Sequence, residues 1–471
     1  MKLTLYSQGA AQEVTGSRHF LEVDGRTIQI DCGAFQGHRQ EADRKNRMVF
    51  RDPKHIEAVI VTHGHFDHCG LLPVLAKQGY TGNIYATAAT RDISSLVMMD
   101  SARIQARDRE YLSKQAAKKD EKFTWQPLYD ESHVLAAIDH FVTLSYRRPL
   151  PVADGVTLEF FDAGHIIGSS LAALSLRGGG KEARVVFSGD LGRRGKPIIR
   201  DPEKVSGAPD FIVMESTYGD RLHDSAADSL GKLTDVVNKT VARGGKIIIP
   251  AFAVERTQEL VYLLHILTDQ KKIPEIPIYV DSPMATNATA IFQVHPECYD
   301  TEISEAFLKH QKNPFGFNNL KYTTSVQESK DLNNLKGSAI IISADGMCEA
   351  GRVVHHLANA VEDPRNTILV VGFMAADTLG RRIKEGQKDL RIMGMPLRLK
   401  AEVEELSTFS AHADYRGIGE YITSLDTSRL KKVFLVHGEE KSQTHLKKHL
   451  LSLGLPAVEI VEPDTMYALE V

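Results

Sequence analysis

The chain opens on short runs whose apolar residues alternate with polar ones or follow one another directly. Leu3–Tyr6, His19–Val23, Thr27–Ile30 and Ala58–Val61 have the length and period of strands, and Gly and Asp bound them. Asp24-Gly25, between the second and third runs, predicts a hairpin turn. Leu71–Lys77 and a stretch from about Arg91 to Lys119, rich in Arg, Lys, Gln, Ala and Glu, predict helices. Strands return at Val156–Phe161, Leu171–Leu176 and Arg184–Phe187. Near Pro209 the pattern changes. Phe211–Met214, Lys246–Ile249, Ile278–Val280, Ala339–Ile342 and Thr367–Val371 predict buried strands. Helical segments separate them, at Ser229–Ala242, about Arg256 to Leu267, and from about Ala285. Such alternation predicts βαβ units on a mostly parallel sheet. After Arg391 the strand-like segments Leu397–Val403 and Lys432–Val436 follow. No low-complexity linker or repeat separates these regions, which favours one domain inserted into another. The expected boundaries are 1–208 and 391–471 for the host domain and 209–390 for the insert.

The loop after Ala58–Val61 carries the chemistry. His63, His65, Asp67 and His68 form an H-x-H-x-D-H cluster where a strand passes into a glycine-containing loop. Three imidazoles and a carboxylate so close together would be costly to bury and would repel one another on protonation. As ligands of a zinc-type ion they have suitable nitrogen and oxygen chemistry. The bland alternative is a solvated, His-rich turn. One loop does not complete a two-ion site, and three further strand ends offer ligand-type residues. They are His165 in Asp162-Ala163-Gly164-His165, Asp190 in Ser188-Gly189-Asp190, and His437 in Val436-His437-Gly438. Each alone reads as a core His or a turn Asp; together with the His63 loop they point to a metal centre.

Composition narrows the setting. Among 471 residues, 42% are hydrophobic and 25% charged, with a formal net charge of -4, so no global basic charge exists to hold nucleic acid. The four cysteines, Cys32, Cys69, Cys298 and Cys348, are scattered without C-x-x-C spacing and read as reduced thiols of a cytoplasmic protein. The N-terminus lacks the apolar run of a signal peptide, no segment reaches transmembrane length, and no membrane partner is expected.

The ordered set of Asp31, H-x-H-x-D-H, His165 and Asp190 resembles the metallo-β-lactamase superfamily. The resemblance extends over essentially the whole chain to the β-CASP nucleases, which include the cleavage subunit of messenger RNA 3′-end processing and its bacterial and archaeal relatives. Three more motifs carry it: Glu215 in Met214-Glu215-Ser216-Thr217-Tyr218-Gly219, His412 in Phe409-Ser410-Ala411-His412-Ala413-Asp414, and His437. Val280-Asp281-Ser282-Pro283-Met284-Ala285 also looks like a segment of that family. The resemblance implies an αββα sandwich of metallo-β-lactamase type with an inserted β-CASP domain, built on a mostly parallel sheet flanked by helices. It implies one zinc held by His63, His65 and His165 and a second by Asp67, His68 and His437, with Asp190 bridging. Manganese is an alternative at the second, more oxygen-rich position. Asp31 would orient a ligand imidazole from behind. Asp67, Glu215 and His412 would serve catalysis, with His412 protonating the leaving oxygen and Glu215 holding it.

The expected substrate is single-stranded RNA, cut endonucleolytically to leave 5′-phosphate and 3′-hydroxyl ends. An exoribonuclease of either polarity and a DNA-repair nuclease are the alternatives within the superfamily. His437 favours RNA, because the DNA-repair relatives usually lack that His. A small-molecule metallohydrolase, such as a thioester hydrolase, and a degenerate scaffold are the alternatives outside it. The insert with its motifs argues against the first, and the full ligand set against the second. Ser343, Gly346, Thr378 and Arg381 are candidate phosphate contacts, where small residues or a helix N-terminus admit an anion. Family members usually carry Glu-Gly before the Thr-Leu pair, whereas this chain has Ala376-Asp377; Asp377 can cap the helix, but its charge opposes an anion. The mixed-charge stretch Arg103–Lys119 reads as a solvated helix, and His355-His356 as structural. A homodimer and an unidentified protein partner fit the resemblance, although no interface signature is legible.

Overall fold

Burial on both faces explains the near-continuous apolar strands. In Ile56–Ile60, Ala58 and Ile60 enter one hydrophobic cluster and Val59 enters another on the opposite side. A computed structural model of the chain describes residues 1–37, 39–48, 52–223, 226–310, 313–372, 374, 377–406 and 410–471. The chain divides into two compact units. The first is Met1–Arg194, Asp201–Leu222 and Ala411–Val471; the second is Gly195–Arg200 and His223–Ser410.

The first unit holds two seven-stranded sheets. One runs in the order Tyr467–Leu469, Leu3–Ser7, His19–Val23, Arg26–Ile30, Ile56–Ile60, Asn83–Ala86, Phe141–Thr143. It is antiparallel as far as Arg26–Ile30 and parallel beyond. The other runs Val458–Ile460, Lys432–Val436, Phe211–Glu215, Lys181–Phe187, Ser170–Gly178, Val156–Asp162, Leu150–Ala153. Leu5, Leu21, Ile28 and Ile60 from the first sheet share a buried cluster with Phe160, Leu174, Val185 and Phe434 from the second. This is the layer between the sheets. On the outer faces, Val59 and Val61 pack with Leu72, Leu75 and Met98 of two helices. Likewise Val186 and Ile212 pack with Ile418, Ile422, Leu446 and Leu450 of two others. The layers are therefore helix, sheet, sheet, helix.

Strand direction gathers the chemistry. In the second sheet Val156–Asp162, Lys181–Phe187, Phe211–Glu215 and Lys432–Val436 all run the same way. Their carboxyl ends lead to His165, Asp190, Glu215 and His437 along one edge. In the first sheet the parallel pair Arg26–Ile30 and Ile56–Ile60 leads into Asp31 and the His63 loop.

The second unit is built on a six-stranded sheet in the order Leu320–Tyr322, Ile278–Val280, Ile340–Ser343, Ile247–Pro250, Thr367–Val370, Glu402–Glu405, every pair parallel. Its helices pack through Leu332, Val353, Leu357, Leu379 and Ile383. Apart from the short excursion Gly195–Arg200, the chain passes into this unit later than the expected boundary at 209, since Phe211–Glu215 pairs with Lys181–Phe187 and Lys432–Val436 in the first. It also returns later than 391, since Glu402–Glu405 pairs with Thr367–Val370. A fully buried apolar strand carries no sign of which sheet it joins. No helix among the described residues is long and apolar enough to cross a membrane.

Candidate metal centre

Local backbone geometry delivers the side chains. Asp31 and His437, each the residue after a strand, adopt left-handed backbone conformations with φ of 61° and 52°. Such positions are costly for residues with a Cβ and tend to mark functional sites. The His63 loop is held by Gly33, where a Cβ would stand 1.6 Å from the Asp67 carbonyl oxygen.

The donor atoms form two groups that meet at Asp190. In the first, His65 Nδ1 lies 3.0 Å from His63 Nε2 and 3.2 Å from His165 Nε2. Asp190 Oδ2 is 3.3 Å from His63 Nε2 and 3.4 Å from His165 Nε2. In the second, His437 Nε2 lies 3.2 Å from His68 Nε2 and 3.5 Å from Asp67 Oδ2, with Asp190 Oδ1 at 3.4 Å from His68 Nε2. With bonds of about 2.0–2.1 Å, neighbouring ligands of a tetrahedral ion stand about 3.3 Å apart. The observed spacings fit that shell. Asp190 Oδ1 and His165 Nδ1 are buried without any hydrogen bond, and an oxygen left so in a dry site is costly unless a cation faces it. The residues therefore fit two metal ions.

The hydrogen bonds behind the imidazoles set their tautomers. Asp31, 1% exposed, accepts from His68 Nδ1 at 2.7 Å, which turns the Nε2 lone pair of His68 inward. Thr62 donates its hydroxyl to Asp31 at 2.9 Å and receives His63 Nδ1–H at 3.1 Å. Thr217 donates to the His437 carbonyl at 3.0 Å and receives His437 Nδ1–H at 3.0 Å. Thr62 and Thr217 were not picked out from sequence; their one signal is adjacency to a motif residue.

Burial, followed by the charge of His68, lowers the His63 pKa to about 4, and burial lowers that of His65 to about 4. Burial and the neighbouring His412 push His165 well below its usual value. Neutral imidazoles are the form that binds metal. Burial opposes charge on His68 too, but the carboxylates of Asp190 and Asp31 outweigh it and raise that pKa. Burial also opposes the charge on Asp190, yet the surrounding histidines, His437 first, hold its carboxyl well below the usual range.

Glu215 and His412 come together beside these groups. His412 Nδ1 donates to Glu215 Oε1 at 3.0 Å and stands 3.9 Å from Asp190 Oδ2. Glu215 is fully buried and also accepts from Leu191 N at 2.8 Å and Thr217 N at 3.2 Å. Its own backbone N–H is taken by Ser188 Oγ at 3.0 Å. Burial works against a charged His412, but Glu215 and Asp190 raise its pKa to about 9.

The four candidate phosphate contacts lie in the second unit and are engaged differently. Ser343 Oγ donates to the Asp281 carbonyl at 2.8 Å and is buried. Thr378 caps the helix Leu379–Lys384 by accepting from Arg381 N at 3.1 Å, and the carboxylate of Glu349 takes Leu379 N. Asp377, expected as a cap, is exposed in a left-handed conformation, so Thr378 takes that part. Ala376 lies outside the described residues, as does Phe409 of the His412 motif. Arg381 pairs with Glu385 at 2.6 Å. Gly346 packs against the Phe252 ring. Of the histidine pair 355–356, His356 is buried and joins Asp281 at 2.6 Å and Asn333 at 2.8 Å. With Arg352 and Ser329 also on Asp281, this is a packed polar network of the insert.

Comparison with known proteins places the chain. The family model described as "Metallo-beta-lactamase superfamily" matches residues 16–251, "Beta-Casp domain" matches 257–383, and "Zn-dependent metallo-hydrolase RNA specificity domain" matches 396–460. The chain belongs to the metallo-β-lactamase superfamily, in its β-CASP branch, and is a hydrolase of the nuclease kind. It is 36% identical to Ribonuclease TTHA0252 of Thermus thermophilus over 95% of both chains. It is 33% identical to Transcription termination factor FttA of Methanosarcina mazei, over 92% of this chain and 66% of that one. It is 28% identical to Cleavage and polyadenylation specificity factor 73 of Drosophila melanogaster, over 93% and 60%. Thus it spans nearly all of the bacterial relative and about two thirds of the other two. A crystal structure of a protein of unknown function from Enterococcus faecalis V583 shares the fold over all of both chains, with a TM-score of 0.54 at 13% identity. The superfamily binds divalent metal, in keeping with the His and Asp clusters.

Proposed function

We propose that the chain is a zinc-dependent ribonuclease that cuts single-stranded RNA endonucleolytically and leaves 5′-phosphate and 3′-hydroxyl ends. The observation that carries this reading is the His412–Glu215 pair standing beside Asp190, the carboxylate common to both donor groups. His63, His65 and His165 would hold one zinc, Asp67, His68 and His437 the other, and Asp190 both; manganese is the alternative at the second. When bound, such ions supply a deprotonated water at neutral pH and offset charge on the phosphate. The chain's own residues do the rest. Asp31, Thr62 and Thr217 fix the imidazoles so that ligand geometry persists when substrate arrives. Glu215 holds Nδ1 of His412 and stabilises its charge, so that the proton leaves through Nε2 to the departing 3′-oxygen. Ser343, Gly346, Thr378 and Arg381 remain candidates for the RNA backbone, although Glu349 already fills the N-terminus of the Thr378 helix. RNA is favoured by the RNA-specificity match and by relatives named as a ribonuclease and as a cleavage factor. The setting is the cytoplasm, consistent with four free cysteines. A homodimer or a protein partner would supply target choice.

The test is incubation of metal-replete protein with circular single-stranded RNA and with its DNA counterpart, beside Asp190→Ala. Linearised RNA, intact DNA and no cutting by the variant are expected. Intact circles with degradation of linear RNA would replace the endonuclease by an exonuclease. Cutting of DNA alone would favour a DNA-repair nuclease.

A further inference from the structure

The second unit presents one phenyl ring in an unusual setting. Phe252 follows the strand Ile247–Pro250 at the carboxyl edge of the parallel sheet, the edge at which open α/β sheets bind ligands. It is 46% exposed, while Ala251 and Ala253 on either side are buried. Its loop is fixed: the Phe252 carbonyl accepts from Thr257 N at 3.2 Å and from Thr257 Oγ1 at 2.8 Å. Its ring is supported from behind by Gly346, where a Cβ would stand 3.3 Å from Cδ2 and Cε2 and 3.4 Å from Cγ. A Cβ at 346 would sit tight against the ring, which would have to give by a few tenths of an ångström. Among the described residues the other large exposed apolar side chains are aliphatic, apart from Tyr111 on the mixed-charge helix. A single exposed apolar side chain is ordinary on a protein surface; this ring is set apart by its hydrogen-bonded loop and by the backbone packed behind it.

The neighbouring acids are already spent. Asp345 accepts from Glu349 N at 3.1 Å and Ala350 N at 3.0 Å, as well as from Met347 N, and Glu349 takes Leu379 N. The adjoining helix, joined through Gly380 N to the Met347 carbonyl at 3.1 Å, brings Arg381, which pairs with Glu385 at 2.6 Å, and Arg382. A planar apolar face with arginines on the next element suits one occupant, a nucleobase attached to a phosphate backbone.

We infer that Phe252, seated on Gly346, is a stacking platform for a base of the single-stranded RNA substrate. The inference rests on the ribonuclease reading. Stacking accepts any base, so the platform would add affinity and register without sequence preference.

The test uses the full metal-loaded chain in a His412→Ala background, which slows cleavage. Short RNAs carrying 2-aminopurine at successive positions report stacking by fluorescence quenching. Quenching at one position is expected, together with a 5- to 100-fold weaker Kd for Phe252→Ala. Phe252→Trp should bind normally and add an RNA-dependent change to the emission of Trp125, the single native tryptophan. With His412 intact, Phe252→Ala should raise KM for RNA while hydrolysis of bis(p-nitrophenyl) phosphate is unchanged. Wild-type Kd and quenching in Phe252→Ala would overturn the platform and leave the ribonuclease standing. A parent chain that binds and cuts no RNA would overturn both.

Discussion

His412 and Asp31 answer different questions at the scale of single residues. In the proposed mechanism His412 is the acid, so it is needed protonated, and the rate is expected to fall as pH rises through its pKa. Carboxylate neighbours put that value at about 9, and cations bound alongside would pull it lower. His412→Ala is expected to lower kcat about 10²–10⁴-fold and to remove the alkaline limb of the pH–rate profile, with both metals retained. Loss of metal in that variant, read by elemental analysis, would make His412 a ligand instead. Asp31 touches no donor atom of the centre except through His68 Nδ1. Asp31→Ala should weaken metal binding at the second position about 10–100-fold, measured by competition with a chromogenic chelator. Unchanged affinity would mean that packing alone orients His68.

At the scale of elements, strands aim the candidate ligands, which stand on the loops that follow them and, for Asp67 and His68, on the one-turn helix Phe66–Cys69. Gly33 shows how tightly: its missing Cβ leaves room for the Asp67 carbonyl, which also accepts from Ser17 N at 2.8 Å. Gly33→Ala should displace the Asp67 segment, cost about 1–3 kcal/mol in chemical denaturation and lower metal content. Full metal occupancy at wild-type stability would contradict this. Elements with a strong local signal were legible in the sequence. Asp24-Gly25 forms the turn between His19–Val23 and Arg26–Ile30, with φ of 49° and 87°. His63, His65, Asp67 and His68 lie close in sequence with a spacing that is itself a signature, although the structure winds Phe66–Cys69 into a single helical turn where a loop was expected. Polar strand ends were not legible: Lys181–Ala183 extends a strand expected to begin at Arg184, because Lys181 and Glu182 are exposed and offer no apolar alternation, and the Glu182–Arg177 pair across the strands, at 2.9 Å, shows only in the fold. Thr62 and Thr217 stayed hidden because a hydroxyl holding an imidazole leaves no pattern in composition. That the Phe252 ring packs against Gly346 was likewise not legible in the sequence, since the two lie far apart along the chain.

At the scale of the molecule, the donor groups draw on both sheets of the sandwich. His63, Asp67 and His68 come from loops of one sheet, and His165, Asp190 and His437 from the other. Bound ions therefore tie the two sheets together, and whatever binds only the folded state stabilises it. Chelation should lower Tm. A ligand present at about 1,000 times its Kd contributes about 4 kcal/mol, enough to be plain in a thermal scan. An unchanged Tm after verified removal of metal would mean that the hydrophobic layer alone fixes the sandwich. The assignment of strands to the two units lay beyond the sequence. Phe211–Glu215 belongs beside Lys432–Val436, more than two hundred positions along the chain, and only pairing across the whole insert reveals it.

That same pairing sets a schedule for synthesis. Lys432–Val436 lies between Phe211–Glu215 and Val458–Ile460 and presents His437 to the centre. A ribosome delivers it only after the insert has been made. A nascent chain can expose the H-x-H-x-D-H loop early yet lacks a candidate ligand and a middle strand until the insert has been made. On the proposed mechanism the chain would thus stay inert toward the messenger that encodes it until synthesis has passed the whole insert.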